Sequence, residues 1–429
     1  MPRRAGAPTV PDILCVFCRA VVPATGAFDL VLCPACKRMT PVRGAAPAPA
    51  AAPGAPAAPY SVPAGHTIET GTFLPPPPPH IVRRVARSAT LGGAFLVAFL
   101  LGAELAALIA GTPTGVDYAL TAPEPFLVLF IAFPFPYALV ALTGGAAVTF
   151  YMVLVAAILL SVGELVRRYG KDAWAKVTVA LRGEGTPTLS DPNAFFALAR
   201  LFSAALFIAV AANELAAAAG SPPSVPQALV EAPLGERLVS LAHASVWEEL
   251  ITRVLLLGVP LFLVHLAGRG RLERPGHSYV LGGGFALDGP AVAFLVFQAA
   301  VFGFAHFTGW DLLKVPTAAV FGLAAGVLFL RFGLAAAIAV HFLNDYINIT
   351  AAMTEGTAFP VFVLLAFYVM LAVGAVNAIR YVFVIVEVAR AGRVPEYMGG
   401  PPRVPLPIAA SPALPLGGED APASPRGRG

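Results

Sequence analysis

Charge is what this 429-residue chain has least of. Asp, Glu, Lys and Arg make up 12% of it, against 58% hydrophobic residues, whereas soluble domains carry about 25% charged residues. With a mean hydropathy of +0.77, the chain holds more apolar sequence than a soluble core can absorb. Strict alternation over ten-residue segments is also missing, which excludes a transmembrane β-barrel. Cysteine is absent beyond Cys36, so no disulfide framework holds the apolar part. No apolar run follows Met1-Pro-Arg-Arg, which argues against a cleaved secretory leader, and the C-terminus has no prenylation box. The fold class that remains is an all-α polytopic membrane protein of about eight transmembrane helices, an integral multi-pass protein expected in the cell membrane.

The four cysteines are Cys15, Cys18, Cys33 and Cys36, two CxxC pairs separated by fourteen residues. Two thiolate knuckles supply the four soft ligands of a closed tetrahedral zinc site, at a spacing slightly below the usual range. Residues 1–42 therefore read as a zinc-ribbon-like module with a structural zinc and no open coordination position. Two disulfides would be the alternative in an oxidising compartment. Arg3, Arg4, Arg19 and Lys37 are too few to argue for nucleic acid, so a protein partner is the expectation for the module. Residues 43–88 form a Pro/Ala-rich linker that includes five consecutive prolines at 75–79, and residues 391–429 form a Pro/Gly-rich tail. Both are compositions that cannot bury a core and are expected to be disordered.

Between them, the transmembrane domain (89–390) contains apolar runs at about 90–111, 143–166, 195–219, 237–266, 291–309, 316–331, 334–353 and 359–388. The stretch 126–142, with Pro134 and Pro136, is a ninth crossing or a re-entrant hairpin. The basic clusters decide between these. Arg83, Arg84 and Arg87, then Arg167, Arg168 and Lys171, then Arg269, Arg271 and Arg274, then Arg390 and Arg393 all fall on the cytosolic side only with eight crossings. Both termini are then cytosolic. The polar loop 171–193 contains a candidate surface helix at 172–182, with a plain connector as the alternative.

Ionisable residues at membrane depth cost a few kcal/mol or more and are rare there. Glu248, Glu249 and Arg253 interrupt one of the most apolar runs. Glu249 and Arg253, four apart, share a helix face and can pair. Glu248 points about 100° away, and a desolvated carboxylate without a counter-ion is suited to act as a general base. His306 ends the fifth run. His341 and Asp345, again four apart, share a face in the seventh, and Asn344 is a neighbouring amide donor. Two chemistries stay open. In one, Glu248 activates water while the histidines hold an oxyanion or protonate a leaving amine. In the other, Glu248, His306 and His341 bind a catalytic metal. No HExxH helix is present.

EExxxR, FxxxH and HxxxD in successive hydrophobic helices resemble the CPBP family, the CAAX prenyl endopeptidases and bacteriocin-processing or self-immunity (ABI) proteases. The resemblance covers about residues 200–355. It implies an all-α bundle of about eight helices and an intramembrane endopeptidase acting on membrane-associated peptides or proteins. It makes Glu248 the water-activating base, Glu249 and Arg253 its supports, and His306 and His341 the two essential histidines. At the last position Asp345 stands where the prenyl endopeptidases have Asn. An Asp is a poorer oxyanion donor, so Asp345 is expected to orient His341 instead.

Structural readings stand beside these. Glu249–Arg253 alone is as well explained as a packing ion pair, His306 alone as an interfacial or core histidine beside Thr308, Trp310 and Asp311, and His341 alone as a helix–helix hydrogen-bonding group. A non-catalytic scaffold or immunity-like protein of the same fold, or a proton-coupled transporter, are the alternative functions, although no repeat supports transport. His243 reads as a neighbour of the site. His265 and His277 are expected to face headgroups, Glu214 to snorkel outward, and the Gly322/Gly326 GxxxG to serve close packing only.

Overall fold

The computed structural model describes residues 13–14, 21–22, 30–32, 39–41, 80–122, 127–132, 136–182, 193–221, 231–269, 272, 274–307, 310–354, 356 and 359–391. The chain divides into two units, Met1–Pro76 and Pro77–Gly429. In the first, β1 (Ile13–Leu14) pairs antiparallel with β2 (Val21–Val22), and β3 (Leu30–Leu32) with β4 (Met39–Pro41). Each CxxC falls in sequence between the strands of one pair. The four cysteines, most of the linker and the tail after 391 lie outside the described residues.

The second unit is helical. Its helices are α1 (His80–Thr121), α2 (Gly144–Leu165), α3 (Lys171–Leu181), α4 (Ala194–Ala218), α5 (Leu234–His243), α6 (Val259–Arg269), α7 (His277–Leu281), α8 (Gly289–Ala305), α9 (Lys314–Phe332), α10 (Leu334–Met353) and α11 (Phe359–Ala391). Among the described residues, six stretches are long and apolar enough to cross a membrane: Ser88–Thr121, Gly144–Leu181, Ala194–Ala218, Leu234–Gly268, Lys314–Phe332 and Phe359–Val388. Two shorter apolar helices, Gly289–Ala305 and Leu334–Ile347, occupy the fifth and seventh expected runs. This is an all-α polytopic membrane architecture. Helix α1 begins at His80, inside the stretch read as linker to 88, because no proline follows Pro79 until Pro113.

Within the stretch 126–142, the described residues 127–132 and 136–142 are strands. They form the hairpin β5 (Leu127–Ala132) and β6 (Pro136–Leu142), with a bulge at Leu129/Phe130. Antiparallel strands return the chain toward its entry point, so this segment adds no helical crossing. β-Branched and aromatic residues favour the strands, and Pro134 and Pro136 disfavour helix.

The core lies where α1, α2, α4, α5 and α10 meet, around Val97, Leu100, Tyr151, Ile158, Phe196, Phe342 and Tyr346, all essentially inaccessible. A second cluster, with Leu257, Leu261, Tyr279, Phe285 and Phe329, joins α6, α7 and α9. Close approach at two glycines sets the helix spacing around the site. Gly333, at φ 101°, turns α9 directly into α10, a left-handed conformation that a side chain disfavours. Gly258 packs against the Tyr279 carbonyl, where a Cβ has no room.

Candidate active site

The helix carrying the two glutamates is not a regular α-helix. Ala244–Glu248 and Leu250–Gly258 have π-helical, i→i+5 geometry. The local cause is visible in the sequence. Ser245 Oγ lies 2.7 Å from the Leu241 carbonyl and Thr252 Oγ1 donates to the Glu248 carbonyl, so side-chain hydroxyls compete with backbone N–H groups for the carbonyls four residues earlier. Wide turns of this kind recur at functional sites. On this segment Glu248 lines a cavity and Glu249 is buried in the protein.

Glu249 and Arg253 are both fully buried, and the pair is bidentate: Nε donates to Oε2 at 2.9 Å and Nη2 to Oε1 at 3.1 Å. Arg253 Nη1 also donates to Gln298 Oε1, and its guanidinium lies 5.1 Å from the centre of the Phe302 ring. Gln298 is fixed in turn by its own donations to the Leu295 carbonyl (2.9 Å) and the Gly322 carbonyl (3.0 Å). The space Gln298 occupies exists because residue 326 is glycine: a Cβ there would collide with Leu295 and with the Gln298 amide. The GxxxG of α9 therefore does more than pack helices. It seats the amide that holds the arginine.

Glu249 also fixes a histidine. Its Oε1 lies 2.8 Å from His341 Nδ1, so the imidazole donates from Nδ1 and presents Nε2 to the cavity. Asp345, expected to orient His341, stands beside the same ring. Asp345 Oδ2 faces the other nitrogen, at 3.4 Å from Nε2, because one helical turn brings residue 345 alongside the exposed edge of the ring. Asp345 is itself held by Asn344, whose Nδ2 donates to Oδ1 at 3.1 Å. Ser245 Oγ is 3.3 Å from Oδ2, and its single proton serves either Asp345 or the Leu241 carbonyl.

His306 caps the C-terminus of α8, and its Nδ1 lies 2.8 Å from the Phe302 carbonyl. A carbonyl only accepts, so Nδ1 carries the proton and Nε2 again faces the cavity. The two Nε2 atoms lie 3.9 Å (His306) and 3.8 Å (His341) from Glu248 Oε2. Those distances are too long for direct hydrogen bonds and suit one bridging water. The three groups converge from three separate helical segments on one cavity of about 230 Å³, which Trp310, Lys314 and Asp345 also line.

All six residues singled out in the sequence thus meet within one connected network. Several further members were not singled out. Lys314 lies within electrostatic reach of Asp345 and Glu248 and sits 4.1 Å from the Trp310 ring centre. Gln298 and Ser245 belong to the network as described. Each of the three is a polar group at the edge of or inside an apolar run, which is the signal that would have found them. Glu104 carries the same signal. It is buried in α1, with both oxygens lacking a hydrogen-bond partner among the described residues, whereas Glu214 is exposed.

The neighbouring histidines do other work. His243 is buried beside Trp247, with the rings stacked 6.2 Å apart, and Phe130 and Phe150 contact it edge-on. Trp247 Nε1 donates to the Phe130 carbonyl at 2.8 Å and so ties the hairpin to the site helix. His265 does not face headgroups: it is buried, with Nδ1 2.9 Å from the Tyr279 hydroxyl.

Glu248, His306 and His341 are residue types that a catalytic zinc site uses. Among the described residues, however, no three His, Cys, Asp or Glu side chains are disposed to hold a metal ion. As arranged, these three do not form a ligand set.

No curated protein and no solved structure matches this chain. A family model does match part of it, and every residue of the network from Ser245 to Asp345 falls inside the matched region: residues 231–347 are similar to the Rce1-like family, described as type II CAAX prenyl endopeptidase Rce1-like.

Proposed function

We propose that this protein is an intramembrane endopeptidase that cleaves membrane-associated peptides or proteins with Glu248 as the base. The observation that carries the reading is the convergence of Glu248 Oε2 with the Nε2 atoms of His306 and His341 at 3.8–3.9 Å. That space suits one water. Glu248 accepts a proton from the water as its oxygen bonds to the scissile carbonyl carbon. Asn344, Lys314 and the imidazoles line the same cavity and are the available donors to the oxyanion. Collapse breaks the C–N bond, and the proton held by Glu248 passes to the leaving amine. The products are a carboxylate and an amine, and the glutamate is regenerated.

Glu249 and Arg253 are positioning residues in this scheme. They fix His341 and remain out of contact with substrate. Asp345 sets the field at His341 Nε2.

The test is Glu248→Gln in full-length protein reconstituted in liposomes, with lipid-anchored peptides as substrates and products read by mass spectrometry. Loss of a general base reduces turnover about 10²- to 10⁴-fold, with insertion and folding unchanged. Retained cleavage would sink the assignment. We assign a structural zinc to Cys15, Cys18, Cys33 and Cys36 on the donor chemistry of four thiolates. One equivalent of bound zinc should disappear when the four are changed to serine. Cleavage that persists in that variant under chelation excludes a metal requirement, and cleavage that stops assigns one.

A further inference from the structure

The Glu248 cavity holds one charge that the hydrolysis itself does not require. Lys314 is the first residue of α9, and its side chain lines the cavity beside Glu248, His306, His341 and Asp345. No other lysine or arginine is among the lining residues. The half-buried ammonium stands 4.1 Å from the centre of the Trp310 ring. That cation–π contact holds the charge in place but supplies no hydrogen-bond acceptor for its three N–H donors. Among the described residues, Nζ makes no ion pair and no hydrogen bond.

The acids around Lys314 are engaged elsewhere. Asp311 Oδ1 accepts from the backbone N–H groups of Leu313 and Lys314, at 2.9 and 3.2 Å, and so caps α9. Asp345 accepts from Asn344 Nδ2 and lies beside His341. Glu248 Oε2 faces the two imidazoles. All three acids act on Lys314 electrostatically, yet none pairs with its ammonium. An ammonium drawn out of water with its donors open is costly. A carboxylate fills those donors best, through charge-assisted hydrogen bonds. The opposite wall of the cavity is apolar, with Ala205, Leu206 and Ala209 of α4 and Leu241 of α5. A peptide lying against that wall displaces water and strengthens the attraction.

We propose that Lys314 determines specificity by anchoring a carboxylate of the peptide that lies across Glu248. The carboxylate comes from an acidic side chain or from a free C-terminus. The proposal rests on the peptidase reading in so far as the ligand is a peptide. Lys314 then serves recognition, and the oxyanion falls to Asn344 and the imidazoles.

The test compares peptides of one sequence, with Asp or Asn at each internal position in turn and with a C-terminal carboxylate or amide. Their affinities for full-length Glu248→Gln protein in detergent are read by fluorescence anisotropy, so binding is measured without turnover. At least one carboxylate should bind about tenfold tighter than its neutral counterpart, the scale of one charge-assisted hydrogen bond. The arm that does so identifies the source. Adding Lys314→Met should abolish that preference, and Lys314→Arg should restore part of it. Trp310→Leu, which removes the ring beside the ammonium, should reduce it as well and keeps the test valid if Lys314→Met fails to fold. Absence of any carboxylate preference in the Glu248→Gln protein would overturn the proposal. So would a preference undiminished in folded Lys314→Met or in Trp310→Leu, or an equal weakening of every peptide, which marks a packing role. Because the preference is read without cleavage, its loss leaves the assignment of Glu248 standing. Cleavage retained by Glu248→Gln, conversely, sinks that assignment and not this one.

Discussion

Arg253→Met is the most informative perturbation of the buried network. Arg253 is completely buried and makes three charge-assisted contacts, two to Glu249 and one to Gln298. Hydrogen bonds to charged groups contribute about 1.5–3 kcal/mol each, but a simple sum overshoots, because both charges are already desolvated. The relevant quantity is the cost of stranding Glu249, and removal of one partner from a buried pair typically costs about 3–5 kcal/mol. The loss is expected near the lower end, about 3 kcal/mol, because His341 Nδ1 still donates to Glu249 at 2.8 Å. Glu249→Gln/Arg253→Met removes the stranded charge as well, so the double variant should be more stable than the sum of the single losses by about 2 kcal/mol. Equilibrium unfolding in mixed micelles titrated with SDS gives all four corners of the cycle, and Trp247 on the same helical segment supplies a fluorescence signal. Arg253→Met within about 0.5 kcal/mol of the wild type, the range of an ordinary surface change, would refute the reasoning, as would strict additivity in the cycle.

Gly258→Ala drives a methyl into the Tyr279 carbonyl and should cost about 1–3 kcal/mol as an overpacking change, measured in the same unfolding assay. Trp247→Phe removes the bond to the Phe130 carbonyl; a loss of about 1 kcal/mol should speed amide exchange in Leu127–Leu142 while the helices stay protected. Glu104 has no hydrogen-bond partner for either oxygen among the described residues, so Glu104→Met should stabilise the protein by about 1–3 kcal/mol, whereas the exposed Glu214→Gln should stay within about 0.5 kcal/mol of the wild type. A destabilised Glu104→Met would show that the carboxyl is held by something more than its burial.

The helices were legible because lipid-soluble segments announce themselves by length and lack of charge. The pairing of Glu249 with Arg253 was legible for a similarly local reason, since four residues return to the same face in either helical geometry. The hairpin Leu127–Leu142 was harder to read. Its apolar residues fit a ninth crossing or a re-entrant hairpin, and the basic clusters argued against the crossing without specifying the bulged register. The site was only partly legible. Glu248, His306 and His341 stood out as costly residues in apolar runs, but the same criterion passed over Glu104, Gln298 and Lys314. Asp345 was legible as a partner of His341 because it is near in sequence. The closer partner, Glu249, is ninety-two positions away.

The sequence by itself determined a membrane-embedded helical bundle and the positions where polar side chains enter it, because both follow from the free energy of placing each residue in lipid, a property of the residue and its immediate run. Only the tertiary structure decided which polar groups meet. The glycine at 326 makes room for the amide that seats Arg253, and the turn at Gly333 sets α10 so that His341 reaches both glutamates. Those outcomes depend on distances between segments far apart in the chain, which no local pattern encodes.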